Sequence, residues 1–491
     1  MKLFLRDLSG GLNKAYPPHL IADNELSECS NVVYRNGIWN KRPGYTLPYS
    51  ATVDTKDIVE ICDYIRNDGS QFFLAFTTQN IYKLVGTSWT SVKALAVART
   101  LGDKWFTAEL GNSIYATNGV DALQVAGDLG TGGFSNQTWD TTTDAAGNVG
   151  ITLNKCKIVL AFNSRLLFFN TDTSTDGVQP TRFNWTEVNT FNRINSQNFI
   201  NLDYSQSPII SARIIGNNLI AVYKTDSFVT IQDVGSPQYF LPKFRQMTGL
   251  IAPKAVCDLP NGHFFISQKG FFINNAGGVI PVGNQKVKNY FYNNVNPNAL
   301  NTVYCFSDDL HNEVYILYPT GSNTQPDHVL LWNYEYDTWA EWGLNANCGF
   351  YRYRTINSPT IYFGYTLGNV RQQGGTTDNG SAINSKIHTK AFIVIPDTVH
   401  VVQTQLQPVV NEYIQVGRIE TDASPTTTTV KVGYADLGTD TPTFVTNTIT
   451  DEDGKAPRAD FSVFGRYITL GLENFDTASE LVPEFQYAGQ T

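Results

Sequence analysis

The sequence has no apolar run long enough to cross a bilayer as a helix, which excludes a helical membrane protein. It also lacks sustained apolar spacing at the helical period; only Asp23 to Cys29 suggests a turn or two of helix. Cysteine is scarce, with 6 in 491 residues. Cys29, Cys62, Cys156, Cys257, Cys305 and Cys348 are widely scattered and form no CxxC pair, so reduced, buried thiols are expected. Charged residues make up only 16%, and the net charge of −9 has the wrong sign for gripping nucleic-acid phosphates. The six histidines (His19, His263, His311, His328, His388, His400) show no metal-ligand spacing. GxSxG, P-loop and HExxH motifs are all missing. Neither an enzyme nor a cofactor is therefore expected. The opening MKLFLRDLSGG carries Arg6 and Asp7 after a short apolar run, so it is not expected to act as a secretory signal. The expectation is a soluble protein made in a cytoplasm.

Aromatic residues reach 13%, with 25 Tyr and 29 Phe, and 39 glycines supply turns. Residues 301–344 show how these are used. Asn301, Val303 and Cys305 alternate with other residues, Asp308-Asp309 makes a turn, and Val314 to Tyr318 forms a second strand. Gly321-Ser322-Asn323 turns the chain into Val329 to Asn333, and Asp337 turns it again before Trp339, Glu341 and Trp342. Four short strands in little over 40 residues match one β-propeller blade, with the tryptophans filling the faces between blades. A β-meander in a sandwich is the alternative reading.

Comparable units begin near Asp57, Trp105, Cys156, Ile209, Ala255 and Phe350. The fold class expected is all-β, an irregular β-propeller of six or seven blades over residues 57–380. An N-terminal arm (1–56) and a C-terminal β-sandwich-like domain (381–491) flank it. The arm contains a hairpin tipped by Asn36-Gly37, the strongest short-range hairpin signal. Its few apolar groups, among them Leu12, Tyr16, Leu20 and Tyr45, cannot make a core alone, so it must lie on something larger. Deleting residues 1–45 is accordingly expected to leave a folded propeller that cannot assemble. Residues 126–150, rich in Gly, Thr and Asn, read as an exposed loop, and Gln372 to Ser385 as a domain boundary. In the C-terminal part, strands are expected at 391–395, 399–406, 426–432 and 467–472, with an acidic turn at Asp451 to Gly454.

Asp172, Ser174 and Asp176, followed by Gly177, match the first half of a calcium loop. Phe183 stands where the closing acid belongs, so a plain β-turn is the favoured reading, and no metal is assigned. On that reading, exchanging Asp172 and Asp176 for Asn should leave assembly and stability nearly unchanged. Asp308-Asp309 is likewise read as a turn, because adjacent acids on a strand face opposite sides. Propeller sialidases carry an arginine triad and acids on the axis, but no motif supports such a hydrolase here.

The N-terminal segment carries one resemblance. Gly10, Gly11, Leu12, Asn13, Leu20, Glu25, Asn31, Asn36, Gly37, Lys41, Arg42, Pro43 and Gly44, in that order and spacing, resemble the opening of tail nozzle or tail-hub proteins of short-tailed bacteriophages. The resemblance implies a structural protein of the virion: a homo-oligomer, a ring of six subunits, attached below a tail adaptor protein. It would retain the packaged genome and let double-stranded DNA leave through the ring without sequence-specific binding. Tail fibres or spikes and a plug or needle would be further partners. Gly11, Leu12, Asn13, Arg42, Pro43 and Tyr45 are the expected assembly contacts. The acidic balance suits a lumen along which phosphates slide. The alternative is a receptor- or glycan-binding propeller.

Overall fold

Alternating apolar strands and glycine or asparagine turns build seven small antiparallel sheets in chain order. The computed structural model describes residue 5 and residues 7–490, apart from 50–51, 96, 217, 236–238, 355–357, 393–411, 424–427 and 450–456. Blade 1 comprises Ile58–Ile65, Gln71–Thr77, Asn80–Val85 and Ser88–Ala94. Blades 2 to 5 repeat the four-stranded pattern, with first strands Phe106–Leu110, Leu153–Phe162, Ile209–Ile214 and Val256–Leu259. Blade 6 is the unit that the sequence announces most clearly: Tyr304–Asp308, Glu313–Tyr318, His328–Asn333 and Thr338–Gly343. Asn301 belongs to the 3-10 helix Pro297–Thr302 rather than to its first strand.

Blade 7 contributes only three strands in sequence, Cys348–Arg352, Thr360–Gly364 and Val370–Gln373. Its fourth strand is Tyr45–Thr46 from the other end of the chain, with Tyr45 opposite Gln373 and Thr46 opposite Gln372. The fold is a seven-bladed β-propeller, and the N-terminal segment completes its last blade.

Large rings fill the spaces between blades. Phe76 lies 5.3 Å from Trp105 between blades 1 and 2, and Phe183 lies 5.6 Å from Phe240 between blades 3 and 4. Blade 7 meets blade 1 through Phe73 and Tyr362, at 4.9 Å. Trp332 and Trp339 stack at 5.7 Å within blade 6, and Trp332, Trp339 and Trp342 are all at most 3% exposed. The α-helix Lys288–Asn294, which no apolar periodicity announces, seats Phe291 against Phe271 and Tyr318.

The N-terminal segment is a seam rather than a free arm. Gly11–Leu12 pairs in parallel with Glu25–Ser30, and Ser30 pairs with Glu341 at the outer edge of blade 6. A Cβ on Gly11, whose φ is +68°, would come within 2.7 Å of the Trp339 backbone, so this position requires glycine. The expected helical turn at Asp23 to Cys29 is instead the strand Glu25–Ser30. Its other edge pairs with Lys386–Phe392, and that pairing overrides local preference. The hairpin Val32–Arg35 and Ile38–Lys41 forms as expected around Asn36 and Gly37, both at positive φ.

Lys386–Phe392 opens the C-terminal β-sandwich. Together with Tyr467–Glu473, Thr429–Ala435 and Thr443–Thr448 it extends the blade 6 sheet, through Glu25–Ser30, into a ten-stranded sheet. Arg458–Gly465, Glu412–Thr421 and Leu481–Gln490 form the second layer. Val416, Ile419, Val430, Leu470 and Phe485 fill the space between the two. The same continuous apolar core runs from there through the N-terminal segment into blades 5 to 7. The arm, expected to need a larger surface, thus shares one core with blades 5 to 7 and with the sandwich. Within the expected boundary, Thr377–Asp378 and Ser381–Ala382 form a hairpin whose first strand lies beside Tyr45. The expected strand at 399–406 and the acidic turn at Asp451 to Gly454 lie outside the described residues.

The axial well of the propeller as candidate site

Because the first strand of every blade faces the propeller axis, seven strands from distant parts of the chain converge there. They enclose a well of about 520 Å³. That volume falls in the range of small-ligand pockets, about 300–1,000 Å³. Near its floor, Glu60 of blade 1 is gripped from two other blades. The Tyr304 hydroxyl of blade 6 donates to Glu60 Oε1 at 2.7 Å, and Lys254 Nζ, just before blade 5, lies 2.7 Å from Oε2. Lys254 also sits 4.3 Å from the Phe106 ring centre of blade 2. All four residues are at least nine-tenths buried. Burial pushes the Tyr304 hydroxyl well above the usual range, with the Glu60 charge adding to it, so it stays a donor. Lys104, buried nearby, donates to the Asn347 carbonyl at 3.2 Å, and burial lowers its ammonium to about 8.

This cross-bracing ties blades 1, 5 and 6 together across the axis. Three thiols, Cys62, Cys257 and Cys305, line the walls, and all six cysteines of the chain are free. Burial raises the Cys257 and Cys305 thiols well above their ordinary value, so both stay protonated.

At the mouth, Arg213 of blade 4 donates to Asp258 of blade 5 at 2.8 Å. Arg352 pairs with Asp63 at 2.9 Å and Arg354 with Glu109 at 3.0 Å, tying blade 7 to blades 1 and 2. Tyr351 and Tyr353, which alternate with those arginines, line the well instead. The axial acids and arginines therefore serve mainly as cross-blade ties. The blade units are readable from sequence, but which residues share the axis depends on registers that join strands hundreds of residues apart.

The residues singled out for assembly occupy the seam. Leu12 is fully buried, Asn13 is 5% exposed and donates to Glu25 at 2.8 Å, and Arg42 is 3% exposed. Arg42 forms a two-point pair with Asp378, Pro43 accepts from Arg42, and Tyr45 lies in the blade 7 sheet. All of these contacts lie within the chain. Gly11, Leu12, Asn13 and Arg42 are buried in the seam, whereas Pro43 and Tyr45 are half-buried.

Asp172, Ser174 and Asp176 lie at the turn joining Arg165–Thr173 to Gly177–Trp185 in blade 3. Each has its own hydrogen-bond partner. Asp172 accepts from Asn154, Ser174 from the Thr152 amide, and Asp176 from Arg182. Asp308 and Asp309 also sit at a turn, where Asp308 accepts from the Leu310 amide and pairs with His311 at 2.6 Å. Asp308, His311 and Glu313 bring three ligand-type groups within 4.8 Å. Glu313, however, already receives two hydrogen bonds from Arg35, at 2.7 and 2.6 Å, and one from Tyr315 at 2.9 Å. The cluster is a tie between the N-terminal hairpin and blade 6.

No family model and no curated protein matches the chain. Among solved structures, Saccharomyces cerevisiae Sqt1 is similar with a TM-score of 0.39 and 9% identity, covering 68% of this chain and 98% of its own. YCF48 from Cyanidioschyzon merolae has a TM-score of 0.39 and 11% identity over 67% of this chain and 98% of its own. The WD40 β-propeller domain of Doa1 has a TM-score of 0.40 and 8% identity over 67% of this chain and 96% of its own. At these scores the likenesses add nothing to the strand topology, on which the propeller assignment rests.

Proposed function

We propose that this protein is a structural subunit of a phage tail nozzle or hub, assembled as a ring through which packaged DNA leaves the virion. The observation that carries the reading is the role of the N-terminal residues that resemble that family. Gly11, Asn31, Arg42 and Gly44 all lie in the seam that closes blade 7 and joins blade 6 to the sandwich. A sequence pattern with this architectural role fits a family defined by its fold. With the propeller axis cross-braced, the DNA path in this reading lies between subunits, around the ring axis. The sandwich offers a subunit edge: Thr443–Thr448 ends the ten-stranded sheet and carries neither charge nor proline.

The test is electron microscopy of the purified protein, alone and mixed with the adaptor ring of short-tailed phage particles stripped of their distal tail. Six-fold rings seated on the adaptor support the proposal. A monomer that never joins the tail contradicts it. A second reading, a receptor- or glycan-binding propeller, is favoured by the open aromatic mouth of the axial well. Saturable binding of host surface glycans by the monomer would select it.

A further inference from the structure

The well lined by the seven first strands holds an unequal set of charges. Its lining carboxylates are Glu60, Asp258 and Asp309, against the two cations Lys254 and Arg213. Lys254 is matched by Glu60 at 2.7 Å, and Arg213 by Asp258 at 2.8 Å. Arg352 and Arg354, which alternate with Tyr351 and Tyr353 along the chain, are directed to Asp63 and Glu109. His263 stands 3.5 Å from Asp258, but burial lowers its pKa and it hydrogen-bonds Tyr223 and the Ile214 carbonyl, so the imidazole stays neutral. His311, on the same turn as Asp309, is paired with Asp308. Among the described residues no lysine, arginine or histidine lies within 4.0 Å of the Asp309 carboxylate. Burial raises its pKa, a hydrogen bond with Ser307 works against the rise, and the charges of Asp308 and Asp258 add to it.

Two rings share the mouth with it. Tyr351 and Tyr353 stack at 5.7 Å with 26° between planes, and Tyr353 is 57% exposed although it lines the well. An aromatic face beside an unmatched carboxylate is the arrangement that holds a cation: the ring quadrupole and the formal charge attract the same group. A sugar would use the rings, but it would leave the charge imbalance in place.

The geometry points to a binding site for a single ammonium or guanidinium group at the mouth of the axial well, with Asp309 as counter-ion and Tyr353 and Tyr351 as its aromatic wall. The cavity of about 520 Å³ has room for such a group. Its source is either a small free amine or the side chain of a lysine or arginine presented by another protein. The inference does not depend on the nozzle reading, since it rests on the well alone.

The full-length protein is titrated by calorimetry with 1,5-diaminopentane, Nα-acetyl-lysine methylamide, Nα-acetyl-arginine methylamide and, as a neutral control, glucose. Saturable binding of a cationic probe with a Kd of about 1 mM is expected, the strength of one ion pair with a ring contact. Tighter binding of the diamine indicates a free amine; tighter binding of a capped amino acid indicates a protein side chain. Asp309→Asn should weaken the preferred probe about tenfold, and Tyr353→Leu, which keeps the apolar bulk, about threefold. Both positions are exposed, and an unchanged melting temperature shows that the variants fold. Failure of every cationic probe to saturate, equal binding of glucose, or undiminished binding in a folded Asp309→Asn protein overturns the assignment.

Discussion

Arg42 and Asp378, 336 residues apart in the chain, are joined by two parallel hydrogen bonds of 2.9 and 2.6 Å. The guanidinium also reaches the Asn31 side chain and the Pro43 carbonyl, and it is 3% exposed. One side chain thus fixes the turn before the last strand of blade 7 to the hairpin that follows the blade. Arg42→Ala should destabilise the protein by about 3 kcal/mol, because it leaves a partly buried carboxylate without its partner. Arg42→Lys should recover little of this, since an ammonium cannot form the two-point pair. Urea unfolding of the three proteins measures both effects.

Removing residues 1–45 should not leave an intact propeller. The truncation takes away Tyr45, the seam strands Gly11–Leu12 and Glu25–Ser30, and Trp39, which is fully buried. The expected result is an insoluble chain, or one that limited proteolysis cuts within blade 7. A soluble truncated protein with the full-length melting temperature would show that the segment is dispensable for folding.

Within blade 6, Trp342 Nε1 donates to the Val32 carbonyl of the N-terminal hairpin at 2.9 Å, and Trp339 is fully buried against Trp332 and Phe271. Truncating either Trp339 or Trp342 to Ala should cost about 3–5 kcal/mol. Trp342→Ala should in addition speed amide exchange in Val32–Arg35, a local effect that Trp339→Ala lacks.

The two acids of the blade 3 turn should not behave alike. Asp176 pairs with Arg182, whose side chain is 8% exposed and lies 4.0 Å from the Phe199 ring centre. Asp176→Asn should therefore cost about 1–2 kcal/mol, whereas Asp172→Asn should stay within about 0.5 kcal/mol. The sequence-based expectation that both are neutral misses Arg182. Calcium titration of the melting temperature checks the turn reading, which predicts no shift.

Acid should loosen the seam between the N-terminal segment and the sandwich. Glu28 is opposed by burial, but hydrogen bonds from His388 and Lys386 hold it down to about 2; Glu473, bonded by His388 and Lys431, is also held at about 2. Carboxylates depressed from the ordinary 4.5 contribute stability that is present above that pH and lost as pH falls toward 2. Unfolding followed from pH 6 to pH 2 should show this loss. Glu28→Gln should show a shallower decline, with the difference largest above pH 4.5 and vanishing near pH 2.

Much of the fold was legible because blade strands are local. Each blade's turn residues, such as Asp337 (φ 51°) and Gly321 (φ 58°), lie within a few residues of the strands they join. What could not be read was every pairing between distant segments. Tyr45 opposite Gln373 has no local signature, and Glu25–Ser30 reads locally as a helical turn because its partners come from residues 341 and 386–389. The apolar poverty of residues 1–45 signals a need for a larger surface, and the chain's own blades 6 and 7 and C-terminal sandwich supply one. The axial well has no local signature for the same reason. Glu60, Lys254 and Tyr304 meet only once the ring is closed.

The account turns on the N-terminal segment being an integral part of the propeller, and amide hydrogen exchange of the intact chain tests this most directly. Gly44 is bonded in both directions, its amide to Gly375 and its carbonyl from Gly374, and Asn31 is bonded to Glu341. Peptides covering Leu26 to Asn31 and Gly44 to Thr46 should therefore exchange as slowly as Val370–Gln373, and lose protection together with it as urea is added. Exchange of those N-terminal peptides at loop rates, while blades 6 and 7 stay protected, would contradict the account.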